Sequence, residues 1–202
     1  MKLLFCLLTF LGLFKGPAPI DTVKVFAIGG DFNDDAVVLH LGRIAQSAGK
    51  AFSIDFCADA ADAKLASGEW DAFIVSQSAG DGLAGEVAAI RKAAGKKARI
   101  LLWQTDMETG KKLVKKLSLE IAPAKCAVAE LESYTRNGDA AYEDGNITVQ
   151  GAYTLACVLY ETLYKTKVFG NRYSGNLDED ARRSAQLSAD AAVKKPFKVC
   201  LK

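Results

Sequence analysis

Residues 23–35 read VKVFAIGGDFNDD, a β-branched apolar run that ends in two glycines and a cluster of short polar residues. The apolar spacing from Asp34 to Ala48 then predicts an amphipathic helix. Strand, tight turn and helix in that order are typical of the first unit of a parallel α/β sheet. Ligands bind outside the carboxyl ends of such strands, so we expect Asp31 to lie at the functional edge.

The rest of the chain repeats this alternation of strand and helix. We predict further strands at residues 51–57, 70–76, 98–103 and 125–129, and helices up to Gly68 and at residues 84–94, 109–121, 149–164 and 178–194. Because crossovers between parallel strands are right-handed, the pattern predicts a three-layer α/β/α sandwich. Its five-stranded parallel sheet would be flavodoxin-like, with strand order 2-1-3-4-5.

The totals of the sequence describe an ordinary globular chain. Its 202 residues suit one domain with a substantial core, and half of the residues are apolar. A formal net charge of +2 gives no reason to expect nucleic acid or an anionic membrane as a partner.

The N-terminus differs from the remainder. Lys2 precedes a run of mostly apolar residues from Leu3 to Phe14, which fits a secretory signal better than a bilayer span. We therefore predict a signal peptide at residues 1–19 and one domain at residues 20–202. The mature protein would be secreted or periplasmic, without stable membrane association after cleavage. An uncleaved anchor or a buried first helix stays open as an alternative.

Four cysteines remain after that segment: Cys57, Cys126, Cys157 and Cys200. They could form two disulfides or stay as buried thiols, since none has the spacing of a metal site. The cysteines do not decide the compartment.

Polar residues follow the predicted strands, where this architecture places a site. They are Asp31, Asn33, Asp34 and Asp35, then Gln77, Ser78 and Asp81, then Gln104, Thr105 and Asp106, and finally Asp144 and Asn146. Helix capping is an alternative role for Asn33, Asp34, Thr105 and Asp106. The chain has no phosphate-binding motif. Its one histidine, His40, falls mid-helix beside apolar positions, so we expect a structural role.

Six blocks of this sequence resemble the SGNH (GDSL-type) hydrolases. The opening block is similar to the I-G-N-S-F-S-x-D-A of an uncharacterised bacterial branch, and later blocks are similar to its W-D-x-I-x-x-Q-Q, W-x-Q-T and D-G-x-H motifs. They lie at residues 25–36, 70–77, 102–105, 144–157, 176–177 and 189–193.

The resemblance implies a catalytic role for each matching position. The nucleophile's position is Asp31, the oxyanion amide is Gln77, and the last-block acid is Asp144 or Glu143. The histidine's position falls on Asn146 or Ile147. Serine and histidine are both replaced, which implies a pseudoenzyme without ester hydrolysis, because Asn146 cannot accept a proton at neutral pH.

Three hypotheses follow for function. The first is a secreted, hydrolysis-deficient SGNH-like domain that binds a carbohydrate or another small ligand and needs no cofactor. The second is metal-assisted hydrolysis, with Asp31, Asp34 and Asp35 holding Mg²⁺ or Ca²⁺. The third is an atypical active hydrolase with Ser78 or Thr105 as its nucleophile.

Overall fold

A parallel sheet forms the centre of the molecule. The computed structural model describes residues 22–29, 35–57, 68–77, 82–134 and 140–197. The strands are β1 (Thr22–Ile28), β2 (Ala51–Cys57), β3 (Ala72–Ser76), β4 (Ile100–Trp103) and β5 (Glu120–Ala122). They pair in the order β2-β1-β3-β4-β5, all parallel. The predicted fold class and strand order are confirmed.

Helices cover both faces of this sheet. In the described part of the chain they are α1 (Asp35–Ser47), α2 (Leu83–Ala94), α3 (Met107–Leu117), α4 (Ala124–Ser133), α5 (Val149–Tyr164) and α6 (Glu179–Lys194). Alternate residues of β1 point to opposite faces. Val25 and Ala27 join the core under α1, α4, α5 and α6, whereas Phe26 and Ile28 join the core under α2 and α3.

The prediction of a fifth strand at residues 125–129 is wrong. Those residues belong to α4, and the strand is Glu120–Ala122, at the end of the range predicted as a helix and just beyond it. Helix α3 ends earlier because Ser118 takes a left-handed conformation (φ 51°) and its N–H bonds the Val114 carbonyl. Pro123 then stands directly before α4, a position where a missing N–H costs nothing. The helix predicted up to Gly68 falls on residues 58–67, outside the described ranges.

A short hairpin precedes α5. Strands β6 (Tyr142–Glu143) and β7 (Asn146–Ile147) pair antiparallel. Asp144 and Gly145 form the turn with φ of 49° and 80°, as a two-residue hairpin with this twist requires.

The cysteines have two kinds of environment. Cys57 and Cys157 form no disulfide, whereas Cys126 is disulfide-bonded. Burial raises the pKa of Cys157 well above its usual range. Cys200 and the predicted signal peptide lie outside the described residues. Within the described ranges no helix is long and apolar enough to cross a bilayer.

Arg99 joins the sheet to the end of α5. Its Nε and Nη2 donate to the two carboxylate oxygens of Glu120 at 2.8 and 3.0 Å. The same guanidinium donates to the carbonyl oxygens of Thr162 and, at 2.7 Å, Leu163. One planar group therefore pairs with the Glu120 side chain on the edge strand and with two carbonyls near the end of α5, where carbonyls lack partners within the helix.

The Arg99→Lys variant should lose about 1–2 kcal/mol of stability, because an ammonium keeps the charge but not the planar fork. Urea unfolding would measure the loss. Arg43→Lys is the matched control, since Arg43 makes one exposed bond to Gln46 at 3.2 Å. Equal stability of Arg99→Lys and the wild type would show that the fork contributes nothing.

Candidate ligand-binding site

A cavity of about 690 Å³ opens at the carboxyl end of β4. The strand end, α1, α4, α5 and the hairpin all contribute walls. The described residues that line it are Val37, Trp103, Gln104, Thr105, Ala124, Lys125, Val128, Tyr142, Gly145, Asn146, Ile147 and Leu155. Both its position and its size are those of a small-molecule site in a parallel α/β fold.

The lining combines apolar surface with a few polar groups. Val37, Val128 and Leu155 supply aliphatic surface, and the buried Trp103 adds an indole. The Tyr142 side chain, 43% exposed, stands on the hairpin side. Lys125 and Asn146 are exposed polar residues of the same lining. Such a mixture suits a small polar ligand that also has an apolar face.

Gln104 is a buried polar residue of this lining whose side chain has no hydrogen bond among the described residues. It is 1% exposed, yet neither its Oε1 nor its Nε2 has a hydrogen-bond partner among the described residues. Both of its backbone groups are hydrogen-bonded: its N–H donates to the Ala122 carbonyl, and its carbonyl accepts the Lys125 N–H. A buried amide without partners costs about 1–3 kcal/mol. Both of its polar atoms are inaccessible in this conformation and its Nε2 lies towards Gly110 of α3, so a ligand would reach them only after the side chain rotates.

Gln77 holds the loop that follows β4. Its Oε1 accepts the backbone N–H groups of Thr105 and Asp106, each at 3.0 Å. Gly110 lies against it, since a Cβ there would be 3.2 Å from that oxygen. Gln77 is buried and is not among the described residues that line the cavity. Any oxyanion contact from Gln77 would have to come from its Nε2.

Asp106 is a helix cap, one of the two roles predicted for it. Its Oδ1 accepts the Thr109 N–H at 2.9 Å at the start of α3. That hydrogen bond lowers the pKa of Asp106. Thr105, in contrast, lies in the lining of the cavity.

The hairpin carries both last-block positions. Asn146 lines the cavity, and Asp144 lies at the exposed turn two residues before it. The structure thus brings Asn146 to the site and leaves Asp144 at the tip of the hairpin. Glu143 is paired with Asn146 in the hairpin, and Ile147 also lines the cavity.

Most of the predicted acidic cluster falls outside the described ranges. Asp31, Asn33, Asp34, Ser78 and Asp81 lie there, and Asp35 is the exposed first residue of α1. No group of three or more His, Cys, Asp or Glu side chains with metal-binding geometry occurs among the residues that the structure describes. Metal ligation by Asp31, Asp34 and Asp35 stays a prediction.

His40 has the structural role that we expected. It is 7% exposed, and its Nδ1 shares a hydrogen bond of 2.9 Å with the Tyr173 hydroxyl. Its ring meets Tyr153 edge-on at 5.7 Å between centroids. The only imidazole of the chain is therefore packed between α1, α5 and the segment before α6, and it is not part of the described cavity lining.

Sequence reasoning did not single out Lys125, Val37 or Tyr142 as site residues. Lys125 fell in the predicted fifth strand, although Pro123 before an uninterrupted ten-residue segment is a helix-start signal. The Asp144-Gly145 pair was a hairpin signal that would have placed Tyr142 beside Ile147. Nothing in the sequence around Val37 indicates a site residue, because its spacing is that of an ordinary core position of α1.

The fold and the cavity together define a class, a parallel α/β sandwich with a ligand-sized cavity at its carboxyl edge. No protein-family model and no curated protein matches the chain. Among solved structures it is similar to a DUF4886 family protein from Bacteroides uniformis. The two share 22% sequence identity and a TM-score of 0.74, over 88% of this chain and 97% of the other. At this identity the similarity shows the α/β fold.

Proposed function

We propose that this chain is a secreted or periplasmic SGNH hydrolase-like domain that no longer hydrolyses esters and binds a carbohydrate or a similar small ligand. The proposed site is the 690 Å³ cavity at the end of β4. The resemblance of the sequence blocks supports the superfamily, and the parallel sheet is compatible with it.

Two features support the loss of hydrolysis. The position of the nucleophilic serine is occupied by Asp31, and the histidine's position by Asn146 or Ile147. The one imidazole of the chain is already hydrogen-bonded to Tyr173 and is not in the described cavity lining, which argues against its serving as the base. Acyl transfer by a hydroxyl needs such a base close to the nucleophile.

The observation that carries ligand binding is the cavity at the end of β4, whose described lining combines apolar surface with polar groups. The amide of Gln104 lacks partners and would gain them from a ligand once its side chain rotates towards the cavity. A sugar presents hydroxyl groups that donate and accept, which is what this amide lacks. Its C–H faces would meet aromatic and aliphatic surface such as Tyr142 and Leu155. Because other small polar molecules share this chemistry, the first test covers several ligand types.

Intrinsic fluorescence would detect the ligand directly, since Trp103 lines the cavity and the chain has two tryptophans. In a Trp70→Phe background, neutral and acidic mono- and oligosaccharides should shift Trp103 emission in a saturable way. The same samples should show no turnover of short-chain acyl esters or acetylated sugars. Clear ester turnover that disappears with Asp31→Ala would overturn the proposal.

Replacing Gln104 by methionine separates ligand binding from folding. We expect the variant to gain about 1 kcal/mol of stability, since the orphaned amide is removed without changing side-chain length. Ligand affinity should fall about tenfold or more. Thermal unfolding and the fluorescence titration would measure the two effects.

Gln46→Met is the matched control, because Gln46 is exposed on α1 and not in the described cavity lining. It should leave both quantities nearly unchanged. A Gln104→Met protein that binds sugars as well as the wild type would remove Gln104 from the site.

A further inference from the structure

A second cavity, of about 390 Å³, is lined by the first turns of α6 and by residues 169–172 of the segment before it. Three arginines, one glutamate, one glutamine and one exposed aromatic ring contribute to its lining. They are Arg172, Arg182, Arg183, Glu179, Gln186 and Phe169. It shares no described lining residue with the cavity at the end of β4.

The three guanidinium groups have no hydrogen-bond or ion-pair partner within the described ranges. Arg172, Arg182 and Arg183 make no side-chain hydrogen bond and no ion pair in that part of the chain. The other described arginines differ, since Arg43 donates to Gln46 and Arg91 and Arg99 donate to backbone carbonyls. Three such arginines around one concavity need an explanation that the described fold itself does not supply.

Helix stability does not explain this arrangement. Arg182 and Arg183 lie in the first two turns of α6, where the helix dipole disfavours a positive charge. The start of the helix is already capped by Asp178, whose Oδ1 accepts the Ala181 N–H at 2.8 Å. Glu179 stands four residues before Arg183, yet the two form no ion pair in the described structure. Positive charge therefore remains in excess in the cavity.

Gln186 is a buried residue of this lining, and hydrogen bonds hold its side chain in place. It is 3% exposed, and its Oε1 accepts the Gly170 N–H at 3.3 Å. Its Nε2 donates to the Tyr153 hydroxyl at 2.9 Å, which ties the site to α5. Because the Gly170–Gln186 hydrogen bond joins the loop to α6, the backbone that carries the arginines is positioned before any ligand binds.

We infer that this cavity binds a multiply charged oxyanion, a ligand with phosphoryl or sulfate groups. A guanidinium offers a planar pair of donors that matches two oxygens of such a group. Three guanidinium groups around one cavity would neutralise a multiply charged anion, which a single surface lysine would not. The inference is independent of sugar binding at the other cavity.

Isothermal titration calorimetry at constant ionic strength would test this with two probes, inorganic pyrophosphate and a short heparin oligosaccharide. We expect saturable binding of at least one probe to the full-length protein. Binding of pyrophosphate would indicate a free phosphoryl ligand, and binding of the oligosaccharide alone would indicate a sulfated sugar chain. No heat with either probe would overturn the inference.

Three substitutions make the assignment specific. Arg182→Gln and Arg183→Gln should each weaken binding about tenfold. Glu179→Gln should strengthen it, because it removes the one carboxylate of the described lining. Arg43→Gln, the same charge change on α1, should have no effect. Binding that persists unchanged in the Arg182 and Arg183 variants would overturn the inference, and the Glu179 variant tests it if either arginine variant fails to fold.

Discussion

The Gly151→Ala variant is expected to unfold with about 3 kcal/mol less free energy than the wild type and to lose the cavity at the end of β4. A Cβ at position 151 would overlap the carbonyl oxygen of Ala141 and lie 2.9 Å from its carbonyl carbon. The obstructing atoms belong to buried backbone, so no side-chain rotation relieves them. Either α5 or the segment that enters the hairpin must move.

The position of this clash connects it to the site. The Ala141 carbonyl accepts the Thr148 N–H at 2.9 Å, and the Thr148 hydroxyl donates to Ala140 at 2.5 Å. The same hydroxyl oxygen accepts the Gly151 N–H at 2.9 Å and caps α5. Displacing Ala141 therefore disturbs the base of the hairpin that carries Tyr142 and Asn146.

Urea unfolding and the sugar titration of Trp103 fluorescence would measure both consequences. Gly42→Ala is the matched control, since Gly42 is inside α1 and a Cβ there would meet no described atom within 4 Å. That substitution should stabilise the protein by about 0.5–1 kcal/mol. A Gly151→Ala protein with wild-type stability would show that the hairpin does not depend on its contact with α5.

The Glu161→Gln variant is expected to be about 3 kcal/mol more stable than the wild type at pH 8 and nearly equal to it at pH 5. Glu161 is 5% exposed on α5. Burial raises its pKa from 4.5 to about 7, and the charge of Asp190 adds to the rise. The Val168 N–H, which donates to Oε1 at 2.8 Å, opposes the rise without cancelling it.

The sign of the pH effect follows from proton binding. Between pH 4.5 and 7 the folded state keeps a proton on Glu161 that the unfolded state releases. The wild type should therefore lose stability as the pH rises through this range, and it carries the full penalty of a buried carboxylate above pH 7. Glutamine removes the charge but keeps an oxygen for the Val168 N–H.

Urea unfolding at several pH values between 5 and 8 would measure this difference. Glu69→Gln, an exposed glutamate outside the helices, should keep the wild-type pH profile. Glu120 acts in the opposite direction, because hydrogen bonds from Arg99 and Lys165 outweigh its burial and lower its pKa. Comparing Glu161→Gln with the wild type cancels that contribution. Parallel pH profiles for the two proteins would contradict a buried, titrating Glu161.

The candidate site was only partly visible in the sequence. Asn146 and Thr105 could be proposed because polar residues after parallel strands gather at one edge. Lys125 could not, since its place depends on a strand of three residues, too short for any periodicity to show. The lack of hydrogen-bond partners for the Gln104 amide could not be predicted either. It depends on which groups surround the side chain, and a glutamine in a sequence indicates only that it can form hydrogen bonds.

By itself the sequence determined the α/β class, the strand order and elements with strong local signals, such as β2 and α5, whose observed bounds match those predicted. Periodicity and capping act over a few residues, so they are readable in a linear chain. Only the tertiary structure decided which distant groups meet, as when Arg172 joins Arg182 and Arg183 around one cavity and Arg99 reaches the end of α5. Those contacts arise from the packing of whole helices on the sheet, a long-range effect that no local pattern records.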